Sequence, residues 1–319
     1  MPKVSVVTPV YGVEAFIERC ARSLFEQTLD DMEFLFIDDC TPDKSIDVLK
    51  TVLEDYPQRK EQVFFHKMEK NSGQAAVRQW GILNATGDYV IHCDSDDWVD
   101  VNMYKMLYET AIKDNADVVI SDYYESDSKN INNRYKGCKG TEVSSVIDDI
   151  LFRKVHSALW NKLFRRELYS KGIDFPKGNL WEDMAIVIQL LLKCDTVSYI
   201  PEPYYYYYFN PSSIINCQSK EKNIRNFLSE RDNLNIVINS LANSSWTDKY
   251  SDNIVDLKFH TLHLLFPYTN DKECYEFLLS SYPKMTKVFL LSKNASFRYK
   301  MGYLLALMRI YPYLGKLFK

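Results

Sequence analysis

"VIHCDSDDW" (residues 90–98) begins as a buried strand and ends in three carboxylates within four positions, Asp94, Asp96 and Asp97. Carboxylates crowded in this way repel one another and require water or a cation. Asp94 and Asp96 stand two apart, so at an extended strand end both side chains point one way and Ser95 the other. Two hard oxygen donors on one side suit Mg2+ or Mn2+ shared with substrate phosphates. The same residues also fit solvated loop carboxylates, or caps for the helix expected over 99–115. The D-x-D pattern by itself does not choose.

The flanking sequence supplies the fold. "KVSVVTPVY" (3–11), "EFLFIDD" (33–39), "QVFFHKM" (62–68), "DYVIHCD" (88–94) and "ADVVISDYY" (116–124) read as strands, rich in β-branched and aromatic residues. Helical patterns lie between them: 14–28, with Phe16, Ile17, Cys20, Ala21, Leu24 and Phe25 at helical spacing; 41–56, opened by Thr41 and Pro42; 72–87, closed by Gly87; and 99–115. Strand alternating with helix predicts an α/β fold, a mainly parallel sheet flanked by helices. Ligands of such sheets bind beyond the carboxyl ends of the strands. Asp38 and Asp39, Asp94 to Asp97, and less clearly Asp122 all fall at those ends. Further on, 144–154, 157–172 and 180–194 read as helices, "VSYIPEPYYYYYF" (197–209) as a strand, and 218–319 as helical with breaks at Pro267, Pro283 and Pro312.

The 319 residues allow one large domain, or one domain and a smaller one. Seven scattered cysteines without a C-x-x-C pair argue against a zinc site and a disulfide framework, and for a reducing compartment. "MPKVSVVTPV" lacks the features of a signal peptide, and no apolar run is long enough to span a bilayer. The net charge of −4 hides an asymmetry: the 43 residues after Glu276 carry eight Lys and Arg and no acid. "FRYKMGYLLALMRIYPYLGKLFK" (297–319) fits a helix lying on an anionic leaflet, or one packed on the α/β domain with its basic side in water. The five histidines show no metal spacing. No dinucleotide fingerprint, P-loop or nucleophile elbow is present, and the acidic first part argues against nucleic acid.

Other carboxylates invite chemistry. At Asp38 and Asp39 a carboxylate can accept hydrogen bonds from a base or a ribose hydroxyl, or simply end a strand. Glu182 and Asp183 either complement the dipole of the helix they open or supply a general base. A base needs an apolar wall beside it, for which Trp181 is the candidate. The tyrosine run reads as a packed β-edge or as an aromatic stacking surface.

Taken in order, "VSVVTPVYG", "FLFIDDCTPDKS", "NSGQAAVRQWGI", "ATGDYVIHCDSDDW", "WNKLFRREL" and "WEDMAIVIQLL" resemble the family 2 glycosyltransferases from residue 4 to about 214. The resemblance implies a GT-A, Rossmann-like fold over 1–215, followed by a helical region over 216–319. It implies inverting transfer of a sugar from a nucleotide-sugar, usually UDP-linked, to a glycan or lipid-linked acceptor in surface polysaccharide synthesis, with Mn2+ or Mg2+ as cofactor. Thr8, Pro9 and Tyr11 would line the nucleotide pocket, with Asp38 and Asp39 at the base and Arg78 nearby. Asp96 would bind the metal, with Asp94 nearer the ribose or the metal waters. Asp183 would be the base beside Glu182, and Trp160, Asn161, Lys162 and Trp181 would face the acceptor. The expected location is cytoplasmic, peripheral on the inner membrane face through the tail. The chain departs from the family's pattern at Gly12, at Cys40 to Pro42, at Gln79 and in the absence of a basic residue within Tyr204 to Tyr208. A scaffold that has lost catalysis and a nucleotidyltransferase are the alternatives. The intact Asp94, Asp96 and Asp183 oppose the first; the lack of a Gly-rich basic loop after strand one opposes the second.

Overall fold

Strand β1 (Val4–Val10) is buried on both sides because helices cover both faces of the sheet around it. The computed structural model describes residues 1–127, 130–209, 219–244, 249–292 and 295–314. It divides into two compact units, Met1–Asn179 with Ile186–Pro211, and Leu180–Ala185 with Ser212–Lys319. The boundary expected at 215/216 lies outside the described residues.

In the first unit β1 lies between β2 (Met32–Asp38) and β4 (Tyr89–His92), and β3 (Val63–Lys67) flanks β2, all parallel. Helix α1 (Ile17–Phe25) buries Ile17, Cys20, Ala21, Leu24 and Phe25, the stripe its spacing predicts, with Phe25 edge-on to Phe34 and Phe36. Helix α2 (Ser45–Glu54) begins later than Thr41 and Pro42 suggested. Asp43 takes over the capping, its carboxylate accepting from the backbone and hydroxyl of Ser45 and from the Thr41 hydroxyl. Helix α3 (Gln74–Asn84) covers the opposite face, and a Cβ on Gly81 would stand 2.3 Å from Val7, so glycine sets this close approach. Gly87 does not cap α3, which ends at Asn84; a Cβ there would meet Ser5 instead.

Beyond β4 the sheet becomes mixed. The two-residue β5 (Trp98–Val99), helix α4 (Met103–Lys113), β6 (Val118–Ser126), the edge strand β7 (Ile131–Tyr135) and α5 (Val143–Leu151) follow. Residues 157–172 are not the predicted helix. They form β8 (Lys162–Arg165) and the short α6 (Glu167–Ser170). Their apolar spacing suits a helix, but β8 pairs antiparallel with β4 and β6 together, and that ladder satisfies backbone groups on both neighbours. Two antiparallel steps restore direction, so β6 points the same way as β1 to β4, as does β9 (Val197–Tyr208), parallel to β6. The order is β3-β2-β1-β4-β8-β6-β9-β5, with β7 on β6. The tyrosine strand β9 is therefore interior, not an edge.

Helix α7 (Glu182–Leu191) links the two units along the chain. The second unit is helical: α8 (Lys220–Ala242), α9 (Ser251–Leu262), α10 (Lys272–Ser280), α11 (Thr286–Leu291), α12 (Phe297–Leu307) and α13 (Tyr311–Leu314). Phe227, Phe259, Leu262, Leu265, Phe266, Leu278, Phe289 and Tyr303 form its core. Trp181 stacks on His260 at 5.5 Å, and His260 lies against His263, so this histidine pair sits in an aromatic cluster. No described helix is long and apolar enough to cross a membrane. The six described cysteines are free; Cys217 lies outside the described residues.

Candidate active site

Register places the candidate residues of the first unit. Val90 pairs with Phe164 in the antiparallel β4–β8 ladder, so the start of β8 lies beside the end of β4. Ile120 pairs with Lys162, and Tyr123 with Tyr205. The carboxyl ends of β1, β2, β4, β6 and β9 and the entry to β8 thus share one sheet edge.

Asp94 to Asp97 do not continue the strand. The Asp97 N–H donates to the Asp94 carbonyl at 3.1 Å, closing a turn, so the expected period-2 extension is replaced by a tight reversal. Asp94 Oδ1 accepts from buried Arg78 Nη2 at 2.8 Å and from Gln74 Nε2 at 3.3 Å. That fixes one oxygen of a carboxylate that is 22% exposed. Burial, followed by the charge of Asp94, pushes the Asp96 carboxyl up to about 6. Asp97 turns inward, accepting from Tyr205 Oη at 2.5 Å and from Tyr208 N at 2.6 Å, and burial pushes its carboxyl well above the usual range. Arg19 clamps the turn: Nη2 donates to the Asp96 carbonyl at 2.9 Å, and the guanidinium lies over Trp98 at 3.6 Å.

At the β1–β2 end, Asp39 accepts from the Ser72 and Gly73 backbone N–H groups at 2.7 and 2.9 Å. Asp38 accepts from Thr41 N at 2.7 Å. The loops after β1 and β2 are stitched together by Gly12 N to Thr41 Oγ1, Val13 N to Ser45 Oγ and Glu14 N to Asp43. Burial opposes the charge on Asp43, but its hydrogen bonds from Ser45, Thr41 and the Glu14 backbone hold the carboxyl down to about 2. Thr8 is buried, with its hydroxyl unpartnered among the described residues. Pro9 is half-buried, and Tyr11 presents its ring at 48% exposure.

Asp122 departs from the expected cluster. It is buried and accepts from Arg134, the Gly137 N–H and Tyr199 Oη, which secure a register shift between β6 and β9. Asn161 and Lys162 depart too. Both are fully buried, so neither meets an acceptor directly. Asn161 Nδ2 donates to the Ser121 carbonyl at 2.8 Å, and Lys162 Nζ donates to the His156 and Ala158 carbonyls and Asn161 Oδ1. They hold up Trp160, whose ring stacks on Tyr205 at 4.3 Å and near Tyr207 at 5.9 Å. Trp160 itself is buried, and half-buried Tyr207 continues its wall.

No carboxylate pairs with Lys162 among the described residues, and burial pushes its ammonium down from 10.5 to about 7. The unfolded chain then binds more protons than the folded one between those values, so this group makes stability rise with pH across that window. Urea denaturation at pH 6.5, 7.5 and 8.5 is expected to show a slope up to about 1.4 kcal/mol per unit shallower in Lys162→Met. Parallel curves would place the titration elsewhere.

In the second unit's Leu180–Ala185 segment, Trp181 has φ +62°, a strained conformation for a bulky residue. Glu182, buried, and Asp183, half-buried, open α7. Asn179, in the first unit, accepts through Oδ1 from Ala75 N at the start of α3. Sequence reading gave Arg19 and His156 no role in the site, and it placed Asp97 in the carboxylate cluster without showing that its side chain turns inward to Tyr205.

Among the described residues no three His, Cys, Asp or Glu side chains converge to hold a metal unaided. A cation held by Asp94 and Asp96 would have to take most of its ligands from phosphate and water.

Residues 5–179 match the model of Glycosyl transferase family 2. The uncharacterized glycosyltransferase EpsJ of Bacillus subtilis is 30% identical over 67% of this chain and 63% of its own length. The cholesterol galactosyltransferase of Borreliella burgdorferi is 32% identical over 64% and 59%. The chain spans less than two thirds of the length of either. TarS 1–349 from S. aureus, solved in complex with UDP-GlcNAc, has the same fold, with TM-score 0.65 and 17% identity over 97% of this chain and 88% of that one.

Proposed function

Because the chain belongs to glycosyl transferase family 2, we propose that it transfers a sugar, with inversion, from a UDP-linked donor to a hydroxyl of a glycan or lipid-linked acceptor in surface polysaccharide synthesis. The observation that carries this reading is the Asp94–Asp96 turn, pinned by Arg78 and Arg19 at the sheet edge where ligands of such folds bind. Tyr11 and the stitched loops around Asp39 receive the nucleotide. The Trp160–Tyr207 wall excludes water beside the sugar. A divalent cation, Mn2+ or Mg2+, bound by Asp96 with Asp94 would offset charge on the diphosphate leaving group. The acceptor hydroxyl attacks the anomeric carbon while Asp183 takes its proton. The bond from that carbon to the diphosphate oxygen breaks, and its electron pair leaves with the phosphate. Attack opposite the departing group inverts the centre. The reading is tested by release of UDP from UDP-glucose, UDP-galactose and UDP-N-acetylglucosamine with Mn2+ and with EDTA; no Mn2+-dependent release from any of them would count against it.

The same reading places the protein on the inner face of the membrane, through the second unit. Leu291 and Phe297 are 70% and 77% exposed, and Lys284, Lys287 and Arg298 are exposed near them in sequence. Exposed apolar and basic side chains in one segment suit an anionic leaflet. One face of α12 is committed to the unit's own core, and the residues after 314 lie outside the described ones. Replacing both Leu291 and Phe297 with Glu is expected to lower co-sedimentation with phosphatidylserine liposomes roughly tenfold. Unchanged sedimentation would remove this surface from membrane contact.

A further inference from the structure

The turn entering β8 holds a histidine that the transfer scheme does not use. His156 Nδ1 accepts from the Ala158 backbone N–H at 3.1 Å. A neutral imidazole bound this way carries its proton on Nε2. Among the described residues that N–H has no hydrogen-bond partner. The ring is crowded by Trp160, with centroids 5.7 Å apart, and by Tyr123 edge-on at 6.4 Å, yet part of it meets solvent. Its carbonyl is tied down as well, accepting from Lys162 Nζ at 3.0 Å. Backbone and ring are therefore both fixed, and a buried ammonium without an acidic partner is a costly way to fix them. Position adds to this. The start of β8 lies beside the end of β4. Along the sheet, the β2 and β1 ends hold the candidate nucleotide residues, the β4 end holds the carboxylates, and His156 lies one strand further on. The group attached next to a diphosphate, on the side away from the nucleoside, is the donor's sugar.

We propose that His156 Nε2–H donates a hydrogen bond to a hydroxyl of the sugar carried by the nucleotide donor, and so selects which sugar is transferred. This rests on the glycosyl-transfer reading above. A fixed donor facing a sugar lacking that hydroxyl, or bearing it in the other configuration, is left unpaired, and discrimination follows.

The test is calorimetric binding, with Mn2+, of UDP, UDP-glucose, UDP-galactose, UDP-N-acetylglucosamine and GDP-mannose to wild type and to H156A, H156F and H156Q. In H156A the best-bound nucleotide-sugar is expected to weaken about tenfold while bare UDP stays within about twofold. H156Q, which keeps an N–H donor, is expected to retain most of the affinity. Should H156A fail to fold, H156F keeps the ring packing without the donor and carries the same comparison. Equal loss for UDP and UDP-sugar, or no loss for either, overturns the proposal. So does a wild type that binds bare UDP as tightly as every UDP-sugar, an outcome that leaves the transfer reading standing. A wild type that binds no nucleotide at all overturns the transfer reading and this proposal with it.

Discussion

Replacing Asp183 with Asn is expected to lower sugar transfer by roughly 10²- to 10⁴-fold, the range of a positioned general base, while nucleotide-sugar affinity stays within about twofold. The carboxamide keeps the size and hydrogen-bonding reach of the carboxylate but cannot take a proton. Asp183 stands in the first turn of α7, where the helix dipole favours a carboxylate. Its neighbour supplies the control. Glu182 is buried, so Glu182→Gln is expected to reduce stability more than turnover, whereas Asp183 is half-buried and its substitution should act chiefly on the rate. Single-turnover transfer and calorimetry on the same preparations separate the two effects. Loss of UDP-sugar binding by a folded Asp183→Asn protein would remove that residue from the base role.

Asp96→Asn is expected to act earlier, at binding. Transfer should fall roughly 10³-fold, matching several kcal/mol of lost charge stabilisation, and nucleotide binding should cease to respond to Mn2+. Asp94→Asn is a less clean experiment, because it also removes a carboxylate that pairs with the buried Arg78 guanidinium. The pH dependence follows from the direction of the Asp96 shift. Its carboxyl titrates at about 6, and a proton there competes with a cation. Mn2+-dependent nucleotide affinity is therefore expected to level off above pH 7 and to fall about tenfold per unit below 6. Wild-type affinity that is flat from pH 5 to 7 would contradict a metal role for Asp96.

The parts of the fold legible in the sequence are those decided locally. Strands β1, β2 and β4 and helix α1 declared themselves through runs and stripes of apolar residues whose burial matches their spacing, whereas the apolar run of β3 leaves Phe64 and Phe65 exposed. The D-x-D carboxylates were visible by composition, but their geometry was not. A turn closed by Asp97 N–H to the Asp94 carbonyl, with Asp97 drawn inward to Tyr205, depends on a strand more than a hundred residues away. Strand β8 was misread for a related reason. Residues 159–168 carry a helical stripe, and only the paired edges of β4 and β6 make an extended chain the better solution. The exposed and polar β7 offered no apolar signal at all. Burial of Asn161 and Lys162 was equally unreadable, since two polar residues beside a tryptophan look like a ligand surface until their partners are known. Long-range pairing, more than propensity, shaped these departures.

The account stands most directly on one calorimetric experiment: UDP titrated into the full-length protein with and without Mn2+, with GDP and dTDP as controls. Binding of UDP that requires Mn2+, is lost in Asp96→Asn and is not matched by GDP or dTDP is the predicted result. Absence of nucleotide binding under every condition, by protein whose fold is intact, would contradict it and favour a family 2 scaffold that no longer handles nucleotide-sugars.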